Sequence, residues 1–169
     1  MTLTTHAITG AAIASSMPSH PVLGFAAGFA SHFLLDAIPH WDLSYLLKST
    51  KKNSDGSTLD IDMNLNKKFL QDLLMVGVDG LIGLILVYII FLFYGKISII
   101  ALLCGATGGV MPDFLAFVQM KFRHEPFTSL LRFHLWIHSK IKMDGQFFLG
   151  ISLQIIFIIL VVSVFKFVF

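Results

Sequence analysis

Residues 28–42 read Gly-Phe-Ala-Ser-His-Phe-Leu-Leu-Asp-Ala-Ile-Pro-His-Trp-Asp, an apolar, helix-forming run in which His32 and Asp36 stand four positions apart. That spacing puts both side chains on one face of a helix, one turn above the other. Pro39 cannot continue the helix and biases Ile38 away from helical geometry, so the chain should turn there and bring His40 and Asp42 back to the helix end. Two imidazoles and two carboxylates thus fall within eleven residues. Such a donor set suits zinc, iron or manganese rather than a thiolate site. Cys104 is the only cysteine, which excludes a disulfide framework within one chain, and it reads as a small buried apolar residue. Asp42, next to Trp41, serves equally well as a loop cap.

The elements that must position these groups are lipid-soluble. Of the 169 residues 56% are hydrophobic and 13% charged, with seventeen Phe and a mean hydropathy of +0.81, too apolar for an ordinary soluble domain. A net charge of +2 gives no nucleic-acid surface, so nucleic acid is not an expected partner. The N-terminus lacks the basic leader and cleavage site of a signal peptide, so the first apolar segment is expected to stay in the mature protein.

The expected fold is an all-α integral membrane protein forming a single transmembrane helical domain over 1–169, with about five hydrophobic helices and polar loops near 43–68 and 121–146. Segments 3–17 and 22–38 form a short hairpin across the proline-rich turn 17–21. Both are short against a hydrocarbon core about 30 Å thick. Longer spans are expected at 73–94, at 97–118 after a tight turn at Gly95-Lys96, and at 147–169. Within 43–68, Asp55, Asp60 and Asp62 fit no EF-hand spacing and read as solvated linker. Residues 121–146 hold an amphipathic interfacial helix with Phe127, Leu130, Leu131, His134, His138 and Ile141 on one face and Trp136 elsewhere. Lys48, Lys51, Lys52, Lys67, Lys68, Lys121, Arg123, Arg132, Lys140 and Lys142 fall on the N-terminal side, against Lys96 and Lys166 opposite. The positive-inside rule then sets the N-terminus in the cytoplasm and the C-terminus outside the cell (inner) membrane.

With this topology, His6, His32, Asp36, His40, Asp79, Asp113, His134 and His138 all lie at one level. His20 alone is opposite, in a turn, with a solvated role. A lone Asp within a span costs roughly 2.5–3.5 kcal/mol on insertion scales, so carboxylates at one depth need partners or a cation. Three readings satisfy that need: a bound divalent metal, a structural His–Asp hydrogen-bond network, or a proton or ion path. Asp72, seven residues before Asp79, reads as a solvated helix start or as a neighbour of Asp79.

Three short stretches resemble the membrane-bound, predicted metal-dependent hydrolases whose helical bundle is related by analogy to zinc-dependent phospholipase C. They are Thr5-His6-Ala7-Ile8-Thr9-Gly10, then Gly28-Phe-Ala-Ser31-His32-Phe-Leu-Leu35-Asp36, and Gly109-Val-Met-Pro112-Asp113. They cover the main polar positions and little of the remaining length. The family often continues with a second acidic residue and a His-Arg-Gly-x-Thr-His-Ser stretch. Here Asp113 is followed by Phe114-Leu115, and the nearest equivalents are His124-Glu125-Pro126-Phe127-Thr128-Ser129 or His134-Leu-Trp-Ile-His138-Ser139.

Taken together, these readings lead to the expectation of a membrane-embedded metal-dependent hydrolase at the cytoplasmic leaflet, acting on a phospholipid or another phosphoester. The expected metal ligands are His6, His32, Asp36, His40, Asp113, His134 and His138, with Asp79 as catalytic base or ligand. The expected cofactor is a divalent metal, zinc ahead of manganese or iron; the expected partner is membrane lipid. The competing class is a non-catalytic membrane protein for transport, ion handling or scaffolding. Against a transport path stands the almost wholly apolar outer half of the chain.

Overall fold

A computed structural model describes residues 1–51, 62–63, 66–94, 98–120, 122–141, 143 and 145–168. Among them are six α-helices: α1 (Leu3–Ser15), α2 (Pro21–Asp36), α3 (Lys67–Tyr94), α4 (Ile99–Gln119), α5 (Phe127–Ile137) and α6 (Phe147–Val168). A 3-10 turn follows α2 at Leu43–Leu46, and β1 (Thr50–Lys51) pairs antiparallel with β2 (Asp62–Met63), Thr50 opposite Met63. The turn expected at Gly95-Lys96 and the residues Asp55 and Asp60 lie outside the described residues.

Local chemistry accounts for the helix ends. Thr2 caps α1 by accepting from the Thr5 amide, and Ser98 caps α4 by accepting from that of Ala101. Pro21 opens α2, where its missing N–H costs nothing, and Pro39 stands just beyond its end.

Among the described residues three helices, not five, are long and apolar enough to cross a membrane: α3, α4 and α6. The expected hairpin helices fall short, because α1 has 13 residues and α2 has 16. At 1.5 Å per residue they reach only about 20 and 24 Å. Their burial differs as well. α1 is enclosed nearly all round, with His6, Ala7, Ile8, Gly10, Ala11 and Ala14 buried, whereas α2 turns Val22 and Leu34 outward. Both short helices pack chiefly on α4, and α3 and α6 complete the wall around α1. The apolar centre is Ala7, Ile8, Ala11, Val87, Leu102 and Ala106.

Close approach of α1, α2 and α4 depends on absent side chains. A Cβ on Gly109 would overlap the carbonyl of His6, and one on Gly28 would overlap that of Gly105. Membrane helices with small residues at the seam gain van der Waals contact where a larger side chain would hold them apart. This seam sets the distance between His6, His32 and the end of α4.

Candidate metal centre

Asp36, at the last turn of α2 and 1% exposed, is the hub of the polar cluster. Its two oxygens face different partners. Oδ2 lies 2.8 Å from His134 Nε2 and 3.1 Å from His32 Nε2. Oδ1 lies 2.9 Å from the Met1 nitrogen, 3.2 Å from His6 Nε2 and 3.6 Å from His40 Nε2. Asp113 on α4 brings Oδ1 to 3.6 Å from His32 Nε2. Five elements therefore meet here: α1 gives His6, α2 gives His32 and Asp36, the turn after it gives His40, α4 gives Asp113, and α5 with its C-terminal end gives His134 and His138.

Each helix end is locked to its neighbour by backbone chemistry. Pro112, inside α4, has no amide to offer the Gly108 carbonyl. One residue on, the Gly109 carbonyl accepts from His32 Nδ1 at 2.8 Å. The Ser139 amide donates to the Asp36 carbonyl at 2.6 Å, latching the end of α5 to the end of α2. His134 stays buried on that helix beside Phe33, while Trp136 is 74% exposed. Ile141 departs from expectation: it lies past the end of α5 and is exposed rather than sharing its inner face.

Hydrogen bonds assign the imidazole tautomers. His32 Nδ1 donates to the Gly109 carbonyl and His40 Nδ1 donates to that of Ile38 at 2.7 Å, so in the neutral ring each Nε2 carries the lone pair; that of His32 faces Asp36, and that of His40 accepts from the Met1 amine at 2.8 Å. A backbone carbonyl behind the ring and a free lone pair in front is the arrangement of a metal-binding histidine. Burial, reinforced by the nearby Met1 amine, pushes His40 down to about 4, which keeps it neutral at physiological pH. His6 is 0% exposed and stacked on His32 with ring centroids 3.9 Å apart. Neither of its nitrogens has a hydrogen bond, since the 3.2 Å approach to Asp36 has the distance without the direction. A fully buried imidazole with no partner is costly, and an ion shared with Asp36 would remove that cost.

His32, Asp36, Asp113 and His134 bring one donor atom each within 4.8 Å of one another, close enough to hold one ion, and Asp36, His40 and His138 do the same. The structure therefore has buried His/Asp groups able to hold a metal ion. Behind the second group stands Asp42, whose Oδ2 is 3.5 Å from His138 Nε2 and whose Oδ1 accepts from the Ser44 amide at 2.8 Å. It is both the cap and a partner. The hydrogen bond to Asp42 lifts His138 above its ordinary value against the pull of burial. Asp42 is correspondingly held below the usual carboxylate range, although burial alone would raise it.

Asp79 sits elsewhere. Its Oδ2 accepts from the Leu3 amide at 2.6 Å and its Oδ1 from the Thr4 hydroxyl at 2.7 Å, so it caps the start of α1 from the middle of α3. A carboxylate at a helix N-terminus is held by unpaired amides and by the helix dipole, which answers the need for a partner without an ion. Asp72 is not a solvated helix start: it is buried and accepts from the amides of Lys48 and Ser49 at 2.9 and 2.7 Å. His20 and His124 are exposed, so His134-Leu-Trp-Ile-His138-Ser139 is the stretch that reaches the cluster.

One contributor is absent from the sequence expectations. Gln154 on α6, buried, accepts on Oε1 from the Thr2 amide and the hydroxyls of Thr2 and Thr5 at 3.1, 3.1 and 2.9 Å, and its Nε2 donates to the Trp41 carbonyl at 2.9 Å. It ties the start of α1 to the turn carrying His40. The signal was present: Gln154 is the only amide side chain in the apolar segment 147–169. No family model, curated protein or solved structure matches this chain.

Proposed function

We propose that the protein is a membrane-embedded, divalent-metal-dependent hydrolase that acts on a phosphoester, a phospholipid headgroup being the nearest example, at the cytoplasmic leaflet. The observation that carries this reading is the set of imidazole Nε2 atoms converging on one buried carboxylate, with the opposite ring nitrogens of His32 and His40 committed to backbone carbonyls. Zinc suits the mixture of imidazole and carboxylate, with manganese and iron behind it. The resemblance of the segments around His6, His32 and Asp113 to membrane-bound metal-dependent hydrolases points the same way.

A bound divalent ion supplies a water of lowered pKa and polarises a phosphoryl oxygen. His32, His134 and Asp36 hold their donor atoms in place for it. Asp113, whose side chain is 36% exposed, is the member of that group open to an arriving substrate. It would complete the ligand set through one oxygen, leaving the other to take the proton of an attacking water. Asp79 is not given the role of base, because both its oxygens are engaged at α1. The exposed Trp136 and Phe133 on α5 suit contact with the headgroup region.

The second reading is a non-catalytic network, favoured by the 2.8 Å His134–Asp36 contact, which by itself partners the carboxylate. Metal analysis of untagged, detergent-purified protein, beside a His32→Ala/Asp36→Ala variant, separates the two. The hydrolase reading expects metal in the wild type, loss in the variant and metal-dependent cleavage of a phosphodiester lipid. A wild type that carries no metal after exposure to Zn²⁺ and Mn²⁺ sinks it.

A further inference from the structure

The cluster has two halves, and Asp36 belongs to both. Its Oδ2 side meets His134 and His32, with Asp113 beyond; its Oδ1 side meets His6 and His40, with His138 completing a second group around the same carboxylate. His40 and His138 have ring centroids 4.8 Å apart. Both Asp36 oxygens are thus engaged, Oδ1 by the Met1 ammonium at 2.9 Å, and at 1% exposure the carboxylate depends on cationic or hydrogen-bonding partners on each side. The unsatisfied group on the Oδ1 side is His6, fully buried, with no hydrogen bond at either nitrogen. Supporting contacts flank both halves: the Gly109 carbonyl behind His32, and the Ile38 carbonyl and Asp42 behind His40 and His138.

We infer that Asp36 bridges two divalent cations, one held on Oδ2 with His32, His134 and Asp113, the other on Oδ1 with His40 and His138. The inference rests on the metal-dependent reading above and adds a second ion to it. In a two-metal site the ions divide the work, one orienting the attacking water and the other stabilising the departing oxygen of a phosphoester. The Met1 nitrogen, 2.8 Å from His40 Nε2 and 2.9 Å from Asp36 Oδ1, is the rival occupant of the second position. Were it to stay there, a single ion would remain.

The test is metal stoichiometry and magnetic coupling in the untagged, full-length chain in detergent. Stripped protein reloaded with Zn²⁺ is expected to retain two ions per chain. A His40→Ala/His138→Ala variant retains one, and a His32→Ala/His134→Ala variant loses the other. Loading with Mn²⁺ is expected to give an exchange-coupled paramagnetic resonance spectrum in the wild type and the spectrum of an isolated ion in the His40→Ala/His138→Ala variant. One Zn²⁺ in the wild type, unchanged by the His40 and His138 substitutions, overturns the second ion and leaves the hydrolase reading standing. Two ions without coupling overturn the bridge, and no ion overturns both readings. The wild-type count needs no variant to fold.

Discussion

Asp36 and Asp79 show how two carboxylates at similar depth acquire different work. Asp36 gathers imidazoles, whereas Asp79 gathers an amide and a hydroxyl. Asp79→Asn is therefore expected to leave metal content within twofold of wild type while lowering the thermal midpoint. The cost is on the order of 1–3 kcal/mol for weakening a charged acceptor at a buried amide. Asp36→Ala should do the reverse and abolish metal retention; metal analysis and thermal melts of both variants check the contrast. The Asp42–His138 pair adds a pH dependence in protein stripped with chelator. Asp42 is depressed, so its contribution is present above its ordinary 3.8 and lost as pH falls through the folded value. His138 is raised, so its contribution is present below its ordinary 6.5 and lost as pH rises through the folded value. The stability gap between wild type and Asp42→Asn should thus be widest between those two values and close on either side. Melting curves across that range decide it.

Among elements, the seam and the α6 tether set the geometry. Gly109→Leu places a side chain against the His6 carbonyl, forces α1 from α4 and is expected to yield protein without metal and with a reduced folded fraction. Gly77→Leu is the matched control, since a Cβ there meets nothing within 4 Å and should leave both readouts unchanged. Gln154→Leu keeps the apolar volume of α6 but releases Thr2, Thr5 and Trp41. Loss of a group hydrogen-bonded directly to a metal ligand typically costs roughly 10- to 100-fold in metal affinity, and Gln154 acts one step further out, through the neighbours of Met1 and His40, so about 10-fold is the expected ceiling. Competition with a fluorescent zinc chelator should show a weakening of up to that size. Wild-type affinity in Gln154→Leu would mean that the tether holds the fold alone.

For the whole molecule, α3, α4 and α6 are, among the described residues, the helices long and apolar enough to cross a membrane, and the two short helices that supply His6, His32 and Asp36 pack chiefly on α4. The basic loops flank the polar end, from which we expect that end to face the cytoplasm. In a Cys104→Ala background, Ser98→Cys at the far end of α4 should react with an impermeant maleimide added outside. Ser139→Cys should react only after permeabilisation. The opposite pattern would move the site to the outer leaflet and with it the proposed substrate.

Sequence alone made the membrane class legible, because no soluble fold hides so many consecutive apolar residues. It also made His32 and Asp36 legible as a pair, since four residues of helix leave them nowhere to be but together. The turn at Pro39 places His40, whereas His6, Asp113, His134 and His138 rest on depth, a weaker guide that fixes height and not rotation. Depth alone puts Asp79 in the same group, and only packing determines that its face of α3 meets the start of α1. Packing also determined that Gln154 holds the N-terminal turn, that α1 is enclosed while α2 keeps one face outward, and which Asp36 oxygen each imidazole meets. Periodicity reports which face a residue is on within its own helix. The rotation of one helix against the next depends on contacts distant in sequence, and those belong to the tertiary structure.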